Sequence, residues 1–444
     1  MTLQNDATGS PACDVATSHV TATQESGVPL STRGQLPIVE PEAALGPLEK
    51  ANEHSQAVPR KKWGTPASGG ATSRRPAPRW WSAVTRLPGF ISDCRRFRRR
   101  DSAKPRLLTH TITFGCNARC VMCDSWKLPT GDDLTLSEII AVYEQLPKMD
   151  VVRLTGGEPF VRKDFPEIVS AATRILDPLT VHITTNGFLT RRIVDFLRDR
   201  DPTTHLDLLI SVDGEGDKHN QIRGHSKAWS LVTDTIDAIA PNRQDWNVSL
   251  AVNQTVVDAE GAEHYRRLHD RWKKQSIAHH LVIAYDSSAT YSIDRDVDLA
   301  PKTMGEFLTF GDTDRTEMAS LLDQAIEDTR HLPFAERWAK RYYLRGIRSR
   351  IVDGRGDPNP ACVALSAHLR MFPNGDVPTC QFNSHIVGNL RDSSFADLWK
   401  DDSTKKARQW VRQCPGCWAE CEVIPNAVYT LDMLGRSRSH QVKA

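Results

Sequence analysis

From Leu107 to Ala284 the chain alternates short apolar runs with amphipathic stretches, and this alternation limits its fold more than any other feature. The runs Leu108–Phe114, Val151–Leu154, Thr180–Thr184, Leu206–Ser211, Val248–Val256 and Leu281–Ala284 read as strands. Between them Ser137–Leu146, Asp164–Ile175, Arg191–Arg198, Ala228–Ile239 and Ala262–Lys273 read as helices. Strands separated by helix-length segments imply a parallel sheet, because parallel neighbours need a crossover that covers a face. The expected class is therefore α/β, with functional residues at the C-terminal ends of the strands.

Composition narrows the partners. The chain has 444 residues, 39% hydrophobic and 25% charged, enough for a sizeable core. No run of about 18 apolar residues is present, and MTLQNDATGS lacks the pattern of a secretory signal. Residues 1–59 carry two basic and seven acidic side chains, and residues 60–106 carry fourteen basic and two acidic. The remainder is mildly acidic, which argues against nucleic acid as the main partner. Residues 1–105, rich in Pro, Ser, Thr, Ala and Gly, read as largely disordered. Within them, residues 79–100 interleave Trp80, Trp81, Val84, Leu87, Phe90, Ile91 and Phe97 with arginines. Such a segment either packs on the folded body or touches an anionic membrane surface, and Pro88-Gly89 is expected to break any helix there.

Cysteine spacing points to metal chemistry. Cys116, Cys120 and Cys123 lie within eight residues, as do Cys414, Cys417 and Cys421, with Cys362 and Cys380 upstream of the second group. Such tight clusters suit metal or iron–sulfur ligation in a reducing, cytoplasmic compartment better than disulfides. Three thiolates on one loop hold three irons of a [4Fe–4S] cube and leave the fourth open to a small ligand. Zinc, the plainer alternative, wants four ligands.

The string Cys116-Asn117-Ala118-Arg119-Cys120-Val121-Met122-Cys123, directly after the first strand, resembles the C-x3-C-x2-C loop of the radical S-adenosylmethionine (SAM) enzymes. Other segments match in order. Gly156, Gly157, Glu158 and Pro159 follow the second strand, where the family's GGEP motif contacts the SAM amino group. Thr185-Asn186 and Ser211-Val212-Asp213 follow the third and fourth, and Arg223 resembles an arginine that approaches the SAM carboxylate. Met122 stands where many members have an aromatic residue, and its polarizable sulfur suits an adenine face. The resemblance implies a partial (βα)6 TIM-like barrel. It also implies reductive cleavage of SAM to a 5′-deoxyadenosyl radical, which takes a hydrogen from the substrate. An electron donor such as flavodoxin or ferredoxin is implied with it.

C-x12-G-x4-C from Cys362 to Cys380, followed by Cys414-x2-Cys417, resembles the SPASM/twitch extension of these enzymes. Five cysteines are too few for two fully ligated cubes. The resemblance therefore implies one auxiliary [4Fe–4S] cluster held by Cys362, Cys380, Cys414 and Cys417. Cys421 replaces one of them or stands beside them as a thiol, and a four-cysteine zinc site is the competing reading. The organisation expected is a disordered extension (1–105), the radical SAM core (106–290), a linker or helical region (291–355), a small α+β auxiliary domain (356–425) and a tail (426–444). Met371 to Asp376 reads as a hairpin around Asn374-Gly375, and Phe395–Trp410 as one helix.

An oxidised substrate radical needs a proton acceptor. Asp286, after the sixth strand, is one candidate; Glu420 and Glu422 are others. The substrate is expected to be a small molecule, lipid-linked or a peptide. The molybdenum-cofactor member of the family normally ends in Gly-Gly, whereas this chain ends in His440-Gln441-Val442-Lys443-Ala444, which disfavours that member. An oxidoreductase is the leading reading. A peptide maturase forming a C–C or C–S bond comes second, and a non-catalytic iron–sulfur protein is the remote alternative.

Overall fold

The structure is a computed structural model that describes residues 80–99, 103–284, 315–354, 359–383, 385–414 and 416–434. Its centre is a sheet of seven strands: β1 Leu107–Thr111, β2 Val151–Thr155, β3 Thr180–Thr185, β4 His205–Ser211, β5 Val248–Val256, β6 Ala278–Ile283 and β7 His368–Met371. Their order is β6-β5-β4-β3-β2-β1-β7 and every pairing is parallel. The six expected strands stand in sequence order across the sheet, as a partial TIM-like barrel requires. The seventh was not expected. The expected strand, turn and strand around Asn374-Gly375 are present, with Phe372 N donating to Asp376 O at 2.8 Å, but the first strand, residues 368–371, also pairs with β1 and extends the barrel wall. Beyond the turn, Asp376–Pro378 pairs antiparallel with Ile386–Asn389.

Helices cover one face of this sheet. Leu136–Gln145 (α2), Phe165–Ala171 (α3), Thr190–Asp199 (α4), Asp217–Arg223 (α5), Ala228–Ile239 (α6) and Ala259–Lys274 (α7) follow successive strands. Thr135 starts α2 as a capping box with Glu138, satisfying donors that the first turn leaves unpaired. Val152, Leu154, Val181, Ile183, Leu208 and Ile210 from the strands pack with Ile139, Ile193, Phe196, Val232 and Ile236 from the helices in one core. Each such side chain contributes roughly 1.5–3 kcal/mol by burial.

The other face is polar. Register places Arg370, Thr109, Arg153, His182 and Asp207 side by side on β7, β1, β2, β3 and β4. Charged residues in the middle of apolar strands need partners, and two later helices supply them to Arg153, Arg370 and His280. Phe334–Ile351 (α9), which follows Arg315–Asp328 (α8), places Glu336 2.8 Å from His280 Nε2. Glu420–Tyr429 (α12) presents Glu420 to Lys340 of α9, and its Cys421 carbonyl accepts from Arg153 Nη1 at 2.9 Å. Phe395–Leu398 (α10) and Asp402–Gln413 (α11) precede it as two helices, capped by Ser394 and Asp401, where one was expected.

The expected helix break at Pro88-Gly89 is corrected. Trp80–Arg98 forms one helix, α1, with Pro88 inside it. Ordered structure therefore begins well before residue 105. The face carrying Phe90, Cys94 and Phe97 packs on the body: Phe90 and Phe97 meet the Tyr429 ring at 5.8 and 6.0 Å. Arg86 pairs with Asp177, and Asp93 with Arg106. This docking offsets a helix-interior proline, which costs about 3 kcal/mol. The rest of the extension, residues 1–79 and 100–102, lies outside the described residues.

Candidate functional site

The first cysteine loop leaves β1 and is held by the ends of β2 and α5. Gly157 N donates to Thr113 O and Glu158 N to Gly115 O, both at 2.8 Å. The approach is close enough to need glycine. A Cβ on Gly156, at φ +152°, would lie 2.4 Å from Thr113 O, and one on Gly157 would lie 2.3 Å from Gly115 O. On the far side Arg119 N and Val121 N donate to Arg223 O and Ile222 O at 2.9 and 3.0 Å.

The three thiols receive donors within this frame. Ala118 N approaches Cys116 Sγ at 3.4 Å, Ser125 N approaches Cys123 Sγ at 3.5 Å, and Arg223 Nη1 approaches Cys120 Sγ at 3.5 Å. Burial pushes the Cys123 thiol up to about 12 and raises Cys116 and Cys120 as well, so a metal must displace their protons. Among the described residues no three His, Cys, Asp or Glu side chains close on a single-ion position. A cube asks for less convergence, since each thiolate binds its own iron. The donor set fits a [4Fe–4S] cluster.

The resembling motifs sit around this loop, yet several act on the protein itself. The Glu158 carboxylate is fully buried and accepts from Phe160 N, Thr185 Oγ1 and Asn186 N at 3.1, 2.9 and 2.7 Å. It ties the mouth of β2 to that of β3. Burial raises it to about 7 against these donors. Asn186 Nδ2 donates to Asn117 Oδ1 at 2.7 Å, which ties β3 to the cysteine loop. Arg223 Nε lies 2.7 Å from the buried Asp213 carboxylate, whose other oxygen accepts from Thr255 N at 2.9 Å. Arg223 is therefore charge-balanced within the protein. Its guanidinium braces Cys120, a role beyond the carboxylate contact that the resemblance implies. Ser211 lies at the end of β4, and Met122 sits half-buried on the loop. Pro159 opens the short turn after Glu158.

In the second region Cys362, Cys380, Cys414 and Cys417 line one small cavity with Phe382, Trp410 and Glu422. Cys421 is not in that lining. Its carbonyl is bound to Arg153, and burial raises its thiol to about 11. The four-cysteine set implied by the resemblance is thus brought together, and Cys421 stands apart from that lining. Cys362 and Cys380 flank β7, so this cavity is built onto the barrel wall.

Two of the three carboxylates proposed as proton acceptors are engaged elsewhere. Burial raises Glu422, but Arg370 and His368 outweigh it and hold the carboxyl at about 2. Burial likewise raises Glu420, and Lys340 with His280 brings it below the usual range. Both are poor bases. Asp286 lies outside the described residues. Arg153, His182, His280, Lys340 and Arg370 were absent from the sequence-based site. Except for Lys340, which lies on α9, their signal was there to read: an ionisable residue within an apolar strand, as in Val151-Val152-Arg153-Leu154 and His368-Leu369-Arg370-Met371. His219, which accepts from Asp213 N at 3.0 Å, carried no such signal.

Comparison with known proteins agrees with this geometry. The radical SAM superfamily profile matches residues 111–270, and the iron–sulfur cluster-binding domain SPASM matches residues 362–421. The chain is 35% identical over 129 residues to a GTP 3′,8-cyclase of Actinobacillus pleuropneumoniae, which covers 28% of this chain and 37% of that protein. It is 34% identical over 136 residues to the GTP 3′,8-cyclase of Klebsiella pneumoniae, covering 29% and 40%. The chain thus spans about two fifths of the length of these relatives. Among solved structures, native anSMEcpe with bound AdoMet and Cp18Cys peptide aligns with TM-score 0.47 and 17% identity over 68% of this chain and 81% of that one. Streptococcus suis SuiB bound to the precursor peptide SuiA aligns with TM-score 0.44 and 15% identity over 80% and 75%. Among the described residues no helix is long and apolar enough to cross a membrane. The two matched domains imply [4Fe–4S] clusters and SAM as cofactors. With its first cysteine loop at the mouth of a parallel barrel and four further cysteines around one cavity beside it, the chain carries a radical SAM domain over residues 111–270 and a SPASM iron–sulfur domain over residues 362–421.

Proposed function

We propose that the chain is an oxidoreductase that removes two electrons from its substrate, with one auxiliary [4Fe–4S] cluster as the internal acceptor. The observation that carries this reading is the cavity lined by Cys362, Cys380, Cys414 and Cys417, two of which flank the strand that pairs with β1. When bound, SAM and the first cluster supply the hydrogen-abstracting radical, and the auxiliary cluster supplies a place for the second electron. The residues of the chain do the rest. Cys116, Cys120 and Cys123 hold the first cluster, and Gly156 and Gly157 seat their loop. Glu158, Thr185 and Asn186 lock the neighbouring strand ends, and Asp213 fixes Arg223 beside Cys120. Ser211, Met122 and Pro159 complete the rim on which SAM rests. Helix α12 closes the polar face of the sheet and keeps water from it, with Glu420 and Glu422 as its ionic fasteners. Asp286, two residues after Ala284 at the mouth of β6, is the proposed proton acceptor. The cyclase relatives match over less than a third of this chain, 28% and 29%, so their substrate is not carried over.

The test is anaerobic reconstitution with iron and sulfide counted per chain. About eight irons are expected, falling to about four when Cys116, Cys120 and Cys123 are all changed to Ala. Cys421→Ala keeps about eight, because Cys421 is outside the cavity lining. A wild-type count of about four, falling to none in the triple variant, leaves the C-terminal cysteines without a cluster and refutes the acceptor role.

A further inference from the structure

We propose that the outer face of α1 docks on an anionic phospholipid bilayer. The helix has two dissimilar sides. Its inner side, with Phe90, Cys94 and Phe97, is packed on the body, as described above. Its outer side carries Val84 and Leu87, each 51% exposed, and Ile91, 39% exposed. At 100° per residue these three fall in one narrow stripe. Of the five large hydrophobic side chains exposed among the described residues, three belong to this stripe, so the patch is not scattered surface apolarity. The stripe continues into Arg95 and Arg98, four and seven residues beyond Ile91 and both exposed.

An apolar stripe ending in guanidinium groups matches a surface that is anionic outside and apolar beneath. A nucleic acid would answer the charge and leave the stripe in water. A bilayer answers both: the aliphatic side chains enter the headgroup–acyl boundary, and the arginines meet lipid phosphates. The charge of the surrounding chain supports this choice, with fourteen basic residues against two acidic over residues 60–106. Contact is interfacial, because no described helix is apolar enough to span a membrane. Pro88, exposed on this side, leaves the stripe intact since the helix continues through it.

The test uses the full reconstituted chain in sedimentation with vesicles of equal parts phosphatidylcholine and phosphatidylglycerol, and with phosphatidylcholine alone. Binding to the anionic vesicles is expected to be at least about tenfold tighter and to weaken as salt rises. The V84S/L87S/I91S triple variant and the R95E single variant should each lose roughly tenfold in partition while keeping wild-type iron content and melting temperature. These side chains are exposed, so the variants fold. No sedimentation of the wild type with anionic vesicles overturns the proposal. So does undiminished binding of the triple variant, which would put attachment in another segment. A dimer in size exclusion that the triple variant abolishes, without vesicle binding, would assign the stripe to a second copy and equally overturn it.

Discussion

Replacing Gly157 with alanine is the sharpest probe of how the first cysteine loop is held. A Cβ at that position meets Gly115 O at 2.3 Å, Phe114 O at 2.5 Å and Gly115 C at 2.7 Å. All three are main-chain atoms and none can rotate away. Restoring ordinary contact requires the strand-to-loop junction to withdraw by about 1 Å. Gly115 O also accepts from Glu158 N at 2.8 Å, so withdrawal breaks that bond. Overpacking of this kind costs about 1–3 kcal/mol and the hydrogen bond about 1 more. Gly115 directly precedes Cys116, so the strain falls on the cluster ligands. The variant should lose about half its iron on anaerobic reconstitution, with the C-terminal complement retained, and form 5′-deoxyadenosine at least about tenfold more slowly. Gly89→Ala is the control: it lies on an exposed turn of α1 with only the end of Arg106 at 3.9 Å, and should be neutral or gain about 0.5–1 kcal/mol. Full iron content with wild-type deoxyadenosine formation in Gly157→Ala would refute the close-approach reasoning.

Two further predictions concern buried charge. Asp213→Asn keeps an acceptor for Thr255 N but strips Arg223 of its counter-charge, which at such a site costs about 3–5 kcal/mol. Its denaturation midpoint should fall and first-cluster iron should be lost before auxiliary iron; an unchanged midpoint would show that Arg223 is neutralised by another group. Glu158 titrates near 7 in the folded chain against 4.5 as its ordinary value, because burial raises it. Between those values the folded chain binds the extra proton, so this group makes stability fall as pH rises through the window, by about 3 kcal/mol in all. Denaturation of the holoprotein at several pH values from 5 to 8 should show that slope and Glu158→Gln should flatten it; a slope that persists in the variant assigns it to other groups.

Much of the barrel was legible because its information is local. Apolar runs such as Val248–Val256 and the amphipathic pattern of Ala228–Ile239 state strand and helix through near neighbours alone, and the C-x3-C-x2-C loop places its three sulfurs within one turn of chain. The two ends of the hydrogen-bonded frame around that loop were legible as GGEP and as Arg223, though not what Glu158 and Arg223 hold. Those contacts arise only when β2, β3 and α5 stand side by side. The same limit hid the row from Arg370 to Asp207, because register across five strands is a property of the assembled sheet.

At three places, long-range packing overruled or went beyond a sound local signal. Pro88 breaks a helix in isolation, yet α1 runs through it because Phe90, Cys94 and Phe97 dock on the body and outweigh one missing hydrogen bond. Asn374-Gly375 signals a hairpin, and the turn forms, yet His368–Met371 also finds the open edge of β1 and joins the parallel sheet. Cys417 and Cys421 are alike in the sequence. Cys417, in the segment before α12, lines the four-cysteine cavity, whereas Cys421 in the first turn of that helix is set beside Arg153, because the helix must also bring Glu420 to Lys340 and Glu422 to Arg370. Spacing along the chain names the candidate ligands, and the folding of distant segments onto one another selects among them.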